Sequence, residues 1–298
     1  MNKTAAIHQV GARGGEAWLI CGERSAVLVD AGYPFYGQAL AAKIRECLNG
    51  LPLTDILITH SHYDHAGGLA KAKEAFPDTT VRAAAHAEEI LRRESALRTM
   101  RAMNRAAAAM TNGAFAASDV DVGGYQVDRV AGEGDRIHTA DFLIEVWETP
   151  GHTNDSLSYW FPEESLIALS ETTGIFMKDP ERPEIYVEPA FIVSWQAALS
   201  ALDRVEKARP EALLFPHVGI LTSGDIPVFI NKQREEIQYV RDLVFRFAAE
   251  GKTEEETLAE IRSRYYDRRP EALRTCQPPS AFLANFKAMI PRLLTAPV

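Results

Sequence analysis

The sequence is poor in cysteine: three residues in 298, Cys21, Cys47 and Cys276, widely spaced and with no CxxC pair. An odd, scattered set excludes a disulfide framework, and none of the three reads as a nucleophile or a metal ligand. Long apolar runs are absent too. Stretches such as Phe142 to Trp147, with a Glu inside, fall far short of the roughly 18 residues a membrane helix needs. Met1 to Gly15 has no apolar core of signal-peptide length, so the expectation is a reduced, cytoplasmic protein with no membrane partner. Basic charge is also short. The 32 Lys and Arg face 41 Asp and Glu, a net charge of −9, which repels phosphate backbones and argues against a nucleic-acid partner.

What is present is an ordinary globular composition, 46% hydrophobic and 24% charged, which excludes wholesale disorder and fibrous repeats. The length predicts one or two domains. Short apolar runs alternate with helical spacing through the first half. Ala17–Cys21 and Ala26–Asp30 read as a hairpin around Gly22-Glu23-Arg24-Ser25. Gly37–Leu48 has helical period, Asp55–Thr59 is an apolar strand, and Gly68–Ala75 and Thr79–Ala84 follow as helix and strand. Residues 86–111, rich in Ala, Arg and Met, predict one long helix or a helical pair. Strands resume at Phe142–Thr149, Ser156–Phe161 and Ser165–Ser170. A helix capped by Ser194 and a short strand at Ala212–Phe215 come next. From about Asp225 the strand signals stop. Pro227–Glu250 is amphipathic, Thr253-Glu254-Glu255-Glu256 is a capping box, and Ala281–Leu294 is a further helix. The expected organisation is an α/β body over 1–224 with a helical insert at about 86–111, and an all-helical extension over 225–298 packed on it.

The segment that carries chemistry is Thr59-His60-Ser61-His62-Tyr63-Asp64-His65-Ala66-Gly67-Gly68. Only eight histidines exist in the chain, and three of them fall with an aspartate inside six positions after an apolar strand. Imidazole and carboxylate suit zinc, iron or manganese. A loop leaving a strand end can turn such side chains toward one point, and Gly67-Gly68 lets the backbone bend into the next helix.

This HxHxDH pattern resembles that of the metallo-β-lactamase superfamily. Later motifs stand in the order that family shows: Thr149-Pro150-Gly151-His152-Thr153, Ser170-Glu171 and Phe215-Pro216-His217-Val218-Gly219, each after a strand. Asp30-Ala31-Gly32 matches its early supporting turn. The resemblance, spanning roughly residues 5 to 222, implies an αββα four-layer sandwich. It further implies that His60, His62 and His152 hold one metal while Asp64, His65 and His217 hold a second, with Glu171 bridging. Glu171 departs from the pattern, which has Asp there, and adds a methylene where two metals sit about 3.5–4 Å apart. His8, His86 and His138 lack such spacing and read as structural or surface residues. By layout the helical insert and helical tail resemble those of the PqsE-like quinolone-signal response proteins.

The resemblance implies a hydrolase that uses a metal-bound, bridging hydroxide to cleave an ester, thioester or lactone of a small molecule. Asp64 is then a catalytic candidate as well as a ligand. The cofactors would be two divalent ions, zinc first, with iron or manganese as alternatives. Two other readings stay open: a regulatory or ligand-binding protein with little turnover, and an iron-dependent oxidoreductase of the same fold. Thr172, Phe176, Met177, Tyr186 and Trp195 are candidates to line a substrate channel, with Phe282 and Phe286 covering it. Homo-oligomerisation through the tail is left open.

Overall fold

The structure is a computed structural model that describes residues 5–111, 115, 119–121, 123–178, 185–217, 219–269, 271–274 and 279–295. Cys276, and Val218 of the last histidine motif, lie outside the described residues. The chain divides into two compact units, one of Met1–Glu148 with Asp155–Leu169, the other of Thr149–Asn154 with Ser170–Val298.

The first unit begins with strands β1 (Ala6–Gln9), β2 (Trp18–Cys21) and β3 (Ala26–Val29), all antiparallel neighbours. Helix α1 (Gly37–Leu48) then crosses to β4 (Leu53–Leu57), and α2 (Leu69–Ala75) to β5 (Thr80–Ala83). Helices α3 (Ala85–Arg92) and α4 (Glu94–Met110) precede the two-residue β6 (Arg129–Val130). Strands β3 to β6 are parallel in that order, which requires such helical crossovers because a hairpin cannot join parallel neighbours. Every residue of β2 and β3 is buried, as strands covered on both faces must be.

Helix α1 has the bounds its periodicity predicts, burying Leu40, Ala41, Ile44 and Leu48 and ending where Asn49 turns left-handed at φ 45°. The 86–111 segment is a pair, broken where Arg93 goes extended. The expected strand at 55–59 starts at Leu53 and stops at Leu57. Thr59 leaves the ladder because its N–H donates to the side chain of Asp30.

Strands β7 (Arg136–His138), β8 (Leu143–Glu148), β9 (Leu157–Phe161) and β10 (Leu166–Ala168) form an antiparallel run. It is tied to the end of β4 by Leu157 N donating to Thr59 O at 2.7 Å and Tyr159 Oη donating to Ile58 O at 2.8 Å. Burial pushes the Tyr159 phenol well above its ordinary pKa, so it stays a donor. At the opposite strand ends Asp141 holds the β2–β3 turn. Its carboxylate accepts from Arg24 N (2.7 Å), Arg24 Nε (3.1 Å), Ser25 N (2.8 Å) and Ser25 Oγ (3.1 Å).

The second unit holds the hairpin β11 (Ile175–Lys178) and β12 (Ile185–Glu188), helix α5 (Trp195–Ala208), and the hairpin β13 (Ala212–Leu214) and β14 (Ile220–Thr222). Helices α6 (Ile226–Ala249), α7 (Glu254–Tyr265), α8 (Glu271–Arg274) and α9 (Pro279–Thr295) complete it. The capping box expected at Thr253 is present. Glu256 N donates to Thr253 Oγ1 at 3.1 Å, and Thr253 N donates to Glu256 Oε2 at 2.8 Å. Four expected channel residues are interior packing. Phe176 joins Phe215 and Phe229 in a buried aromatic trio, Met177 packs with Ile175 and Ala190, and Phe282 and Phe286 pack with Tyr265 and Tyr266.

Candidate metal centre

The first donor cluster is built on the loop that leaves β4. Asp30, at the end of β3, sits left-handed at φ 59°, a conformation Asp tolerates better than most residues. Its buried carboxylate accepts from Thr59 N and Thr59 Oγ1, each at 2.8 Å, and lies 3.1 Å from His65 Nδ1. A carboxylate in that position accepts a hydrogen bond from Nδ1–H and leaves Nε2 of His65 as the coordinating nitrogen. The Nε2 atom stands 3.8 Å from Asp64 Oδ1. His60 is fully buried, with Nδ1 3.1 Å from Thr59 Oγ1 and Nε2 3.1 Å from His62 Nδ1. Two nitrogens on one tetrahedral zinc, each about 2.0–2.1 Å from it, are separated by roughly 3.3 Å. The His60–His62 edge, at 3.1 Å, is close to that length.

Two further groups hold this loop. Ser61 N, between the two histidines, donates to Asp155 Oδ2 at 2.8 Å. At Gly67 a Cβ would run into Tyr63 O and the Pro34 ring. The glycine is therefore needed for the loop to close on itself.

The second donor cluster comes from three separated segments. His152 follows β8, Glu171 opens a 3-10 turn (Glu171–Thr173) after β10, and His217 follows β13. Thr172 Oγ1 accepts from His152 N at 3.2 Å and donates to Thr149 O at 2.5 Å, and Ser170 Oγ lies 3.0 Å from Thr149 Oγ1. The turn bearing Glu171 is thus fastened to the loop bearing His152. Gly151, at φ 149°, gives Thr172 room: a Cβ there would lie 2.6 Å from Thr172 Cγ2.

The imidazole of His152 is 2.6 Å from Ala190 O through Nδ1. A carbonyl only accepts, so Nδ1 donates to it and Nε2 is the nitrogen turned toward Glu171. Nε2 stands 2.8 Å from Glu171 Oε2, while Glu171 Oε1 is in close contact with His217 Nε2. Burial pushes the Glu171 carboxyl up, but His152 and His217 outweigh it and hold the pKa well below the ordinary carboxylate value. An imidazole nitrogen and an ionised carboxylate at this distance are held by a positive charge, a second proton on the ring or a shared cation. The donor chemistry fits a divalent metal.

Each predicted ligand is therefore placed within one of two clusters: His60, His62, Asp64 and His65 in the first, His152, Glu171 and His217 in the second. Glu171 is buried rather than a surface acid. His138 is exposed, His86 is partly buried, and His8 lies partly buried on β1. Sequence reasoning named Asp30, named Thr172 only as a channel residue, and missed Asp155 and Ala190. Asp155 stands three residues after His152, yet its carboxylate serves the His60–His65 loop. Only its nearness in sequence to a histidine motif could have signalled it.

The chain matches the family described as the metallo-beta-lactamase superfamily over residues 10–217. It is 35% identical over 124 residues to a hydroxyacylglutathione hydrolase of Bradyrhizobium sp. (strain ORS 278), a match covering 42% of this chain and 35% of that one. A hydroxyacylglutathione hydrolase of Methylobacterium sp. (strain 4-46) is 30% identical over 141 residues, covering 46% and 41%. The chain thus spans well under half the length of these curated relatives. Among solved structures, a metallo-beta-lactamase family protein from Thermus thermophilus superposes with a TM-score of 0.60 at 18% identity, over 93% of this chain and 87% of that one. An archaeal superfamily protein from Sulfolobus tokodaii gives 0.55 at 15% identity, over 98% and 100%. These similarities establish the fold, with its mixed sheets and C-terminal helices. Because the matched segment includes all seven donor residues, from His60 to His217, the chain belongs to the metallo-beta-lactamase superfamily.

Proposed function

We propose that the chain is a metal-dependent hydrolase cleaving a carboxylic ester, thioester or lactone of a small molecule, thioesters first. The observation that carries this reading is His152, whose Nδ1 donates to Ala190 O so that Nε2 is turned toward the ionised Glu171. The hydroxyacylglutathione hydrolase relatives, which the chain matches over part of their length, favour the thioester.

In this reading, as the family resemblance implies, His60, His62 and His152 would hold one cation and Asp64, His65 and His217 a second, with Glu171 bridging. Divalent ions held there, zinc by this donor chemistry and iron or manganese as alternatives, would acidify a water and polarise the substrate carbonyl. Asp64 accepts the proton of the attacking water and returns it to the leaving thiolate or alkoxide. The C–S or C–O bond breaks, and a carboxylic acid and a thiol or alcohol result. Asp30, Asp155, Thr172 and Ala190 keep the donors aimed. The reacting residues lie within 1–224, and 225–298 is a helical extension. Among the described residues no helix is long and apolar enough to cross a membrane.

The test is elemental analysis of protein purified without added metal, followed by a panel of acyl-thioesters, aryl esters and lactones with zinc, manganese and iron. Hydrolysis of at least one class is expected, abolished by a chelator and by His60→Ala or Asp64→Ala. Activity that survives complete metal removal overturns the reading. Metal-loaded protein inert on all three classes points instead to a ligand-binding role.

A further inference from the structure

The most deeply buried ion pair among the described residues joins Arg269, in the turn after α7, to Glu188 at the end of β12. Their side chains are 1% and 0% exposed. Arg269 is itself anchored: Nε donates to Tyr265 O at 2.7 Å, and its guanidinium lies over the rings of Tyr266 and Phe282 at 5.3 Å each. A second residue of the tail meets the same strand end. Gln233 of α6, fully buried, donates from Nε2 to Glu188 O at 3.3 Å. Its Oε1 has no partner among the described residues. Gln233 also presses on Gly174, where φ is 93° and a Cβ would collide with the amide.

The position of Glu188 gives these contacts a consequence. It pairs across the hairpin with Ile175, four residues beyond Glu171, and it stands two residues before Ala190, whose carbonyl fixes the His152 tautomer. Gly174 closes the 3-10 turn that begins at Glu171, its N–H donating to Glu171 O at 2.8 Å. The strand end that Arg269 and Gln233 grip therefore sets both the backbone behind His152 and the backbone behind Glu171.

A buried pair of this kind is a poor source of stability, because desolvating two charges offsets most of their attraction. Apolar replacements of similar volume are commonly neutral or stabilising. Its geometric effect is another matter. A guanidinium fork fixes a carboxylate in direction as well as distance, and partners beyond the ligands govern how well a metal is held.

We propose that Arg269 and Gln233 are positioning residues for the metal donors His152 and Glu171, acting through Glu188, so that the helical extension completes the metal centre. The inference rests on the reading of His152 and Glu171 as metal ligands.

The test measures zinc affinity by competition with a chromophoric chelator and the visible absorption of the cobalt-substituted full-length protein. Thermal melts of the metal-free chains run beside it. The double variant Arg269→Met with Glu188→Leu removes both charges together and avoids stranding one. It should melt near the wild type, bind zinc on the order of tenfold more weakly, and give an altered cobalt spectrum. Gln233→Met, which removes one weak hydrogen bond and one unpartnered oxygen, should fold and shift affinity in the same direction by a smaller factor. It stands as the second measurement should the double variant fail to fold. Folded variants with wild-type affinity and spectrum overturn the positioning role and leave the metal reading intact. A wild-type chain that takes up no zinc or cobalt removes both.

Discussion

The two donor clusters are assembled in opposite ways. The first is one loop: His60 to His65 lie within six residues, and a single carboxylate, Asp30, anchors the loop's start at Thr59 and its end at His65. The second has no contiguous motif. His152, Glu171 and His217 come from three strand ends, and what orders them is mutual: each imidazole meets one oxygen of the same carboxylate. A loop cluster should fail as a piece when its anchor is lost. An interlocked cluster should fail at its shared member.

Glu171→Gln attacks that shared member and should have the largest effect. The amide keeps shape and volume but removes the charge that offsets His152 and His217, and one of its two positions becomes a donor. Hydrolytic kcat/KM should fall by roughly 10²–10³, the scale seen when a group stabilising transition-state charge is removed. The bound-metal count should fall with it. A variant within threefold of wild type would show that Glu171 is a packing residue and that the second cluster does not act through it.

Asp30→Asn tests the anchor. An amide oxygen can accept from Thr59 N or stay near His65, but its NH₂ cannot accept at all, so at least one of the three buried contacts becomes a donor facing a donor. Hydrogen bonds to a buried charge are worth about 1.5–3 kcal/mol each. The metal-free variant should lose about 3 kcal/mol of unfolding free energy in a urea titration. Once His65 loses its orienting partner, metal affinity should fall about tenfold to a hundredfold. Loss of affinity with unchanged metal-free stability would mean that Asp30 orients His65 without holding the loop together.

The contrast also explains what could be read from the sequence. The first cluster is visible as spacing, because a strand followed by a loop keeps its donors adjacent in sequence as in space. Helix α1 and the Thr253 capping box were equally readable, since periodicity and caps are local. The second cluster was reached only through the order of family motifs. Its supports, Ala190, Thr172, Glu188 and Arg269, carry no local signal, being defined by what the fold brings beside them. Strands β1, β6, β7, β11, β12 and β14 were missed for a related reason. They run two to four residues, too short to show an alternation. Strand β4 was drawn two residues late because Ile58 and Thr59 continue its apolar run, while the Thr59 N–H belongs to Asp30 rather than to the sheet.

Asp141 offers the smallest effect and the control for both clusters, because it performs the anchoring job of Asp30 at the ends of β2, β3 and β8 that bear no donor. It is buried with four donors on it. Desolvation pushes its pKa up, but the Arg24 and Ser25 donors outweigh this and hold it below the ordinary carboxylate value. A carboxylate whose pKa is lower folded than unfolded contributes its stability above the unfolded value, near 3.9, and loses it as pH falls through the folded one. Asp141→Ala should therefore cost about 2 kcal/mol at pH 7. The gap from wild type should narrow as the titration is repeated from pH 5 toward pH 3. Metal affinity and kcat/KM at pH 7 should stay unchanged, since its bonds to Arg24 and Ser25 hold a turn that bears no candidate metal ligand. A fall in metal affinity matching that of Asp30→Asn would show that loosening the sheet anywhere disturbs the donors. The special place given to Asp30 would then be lost.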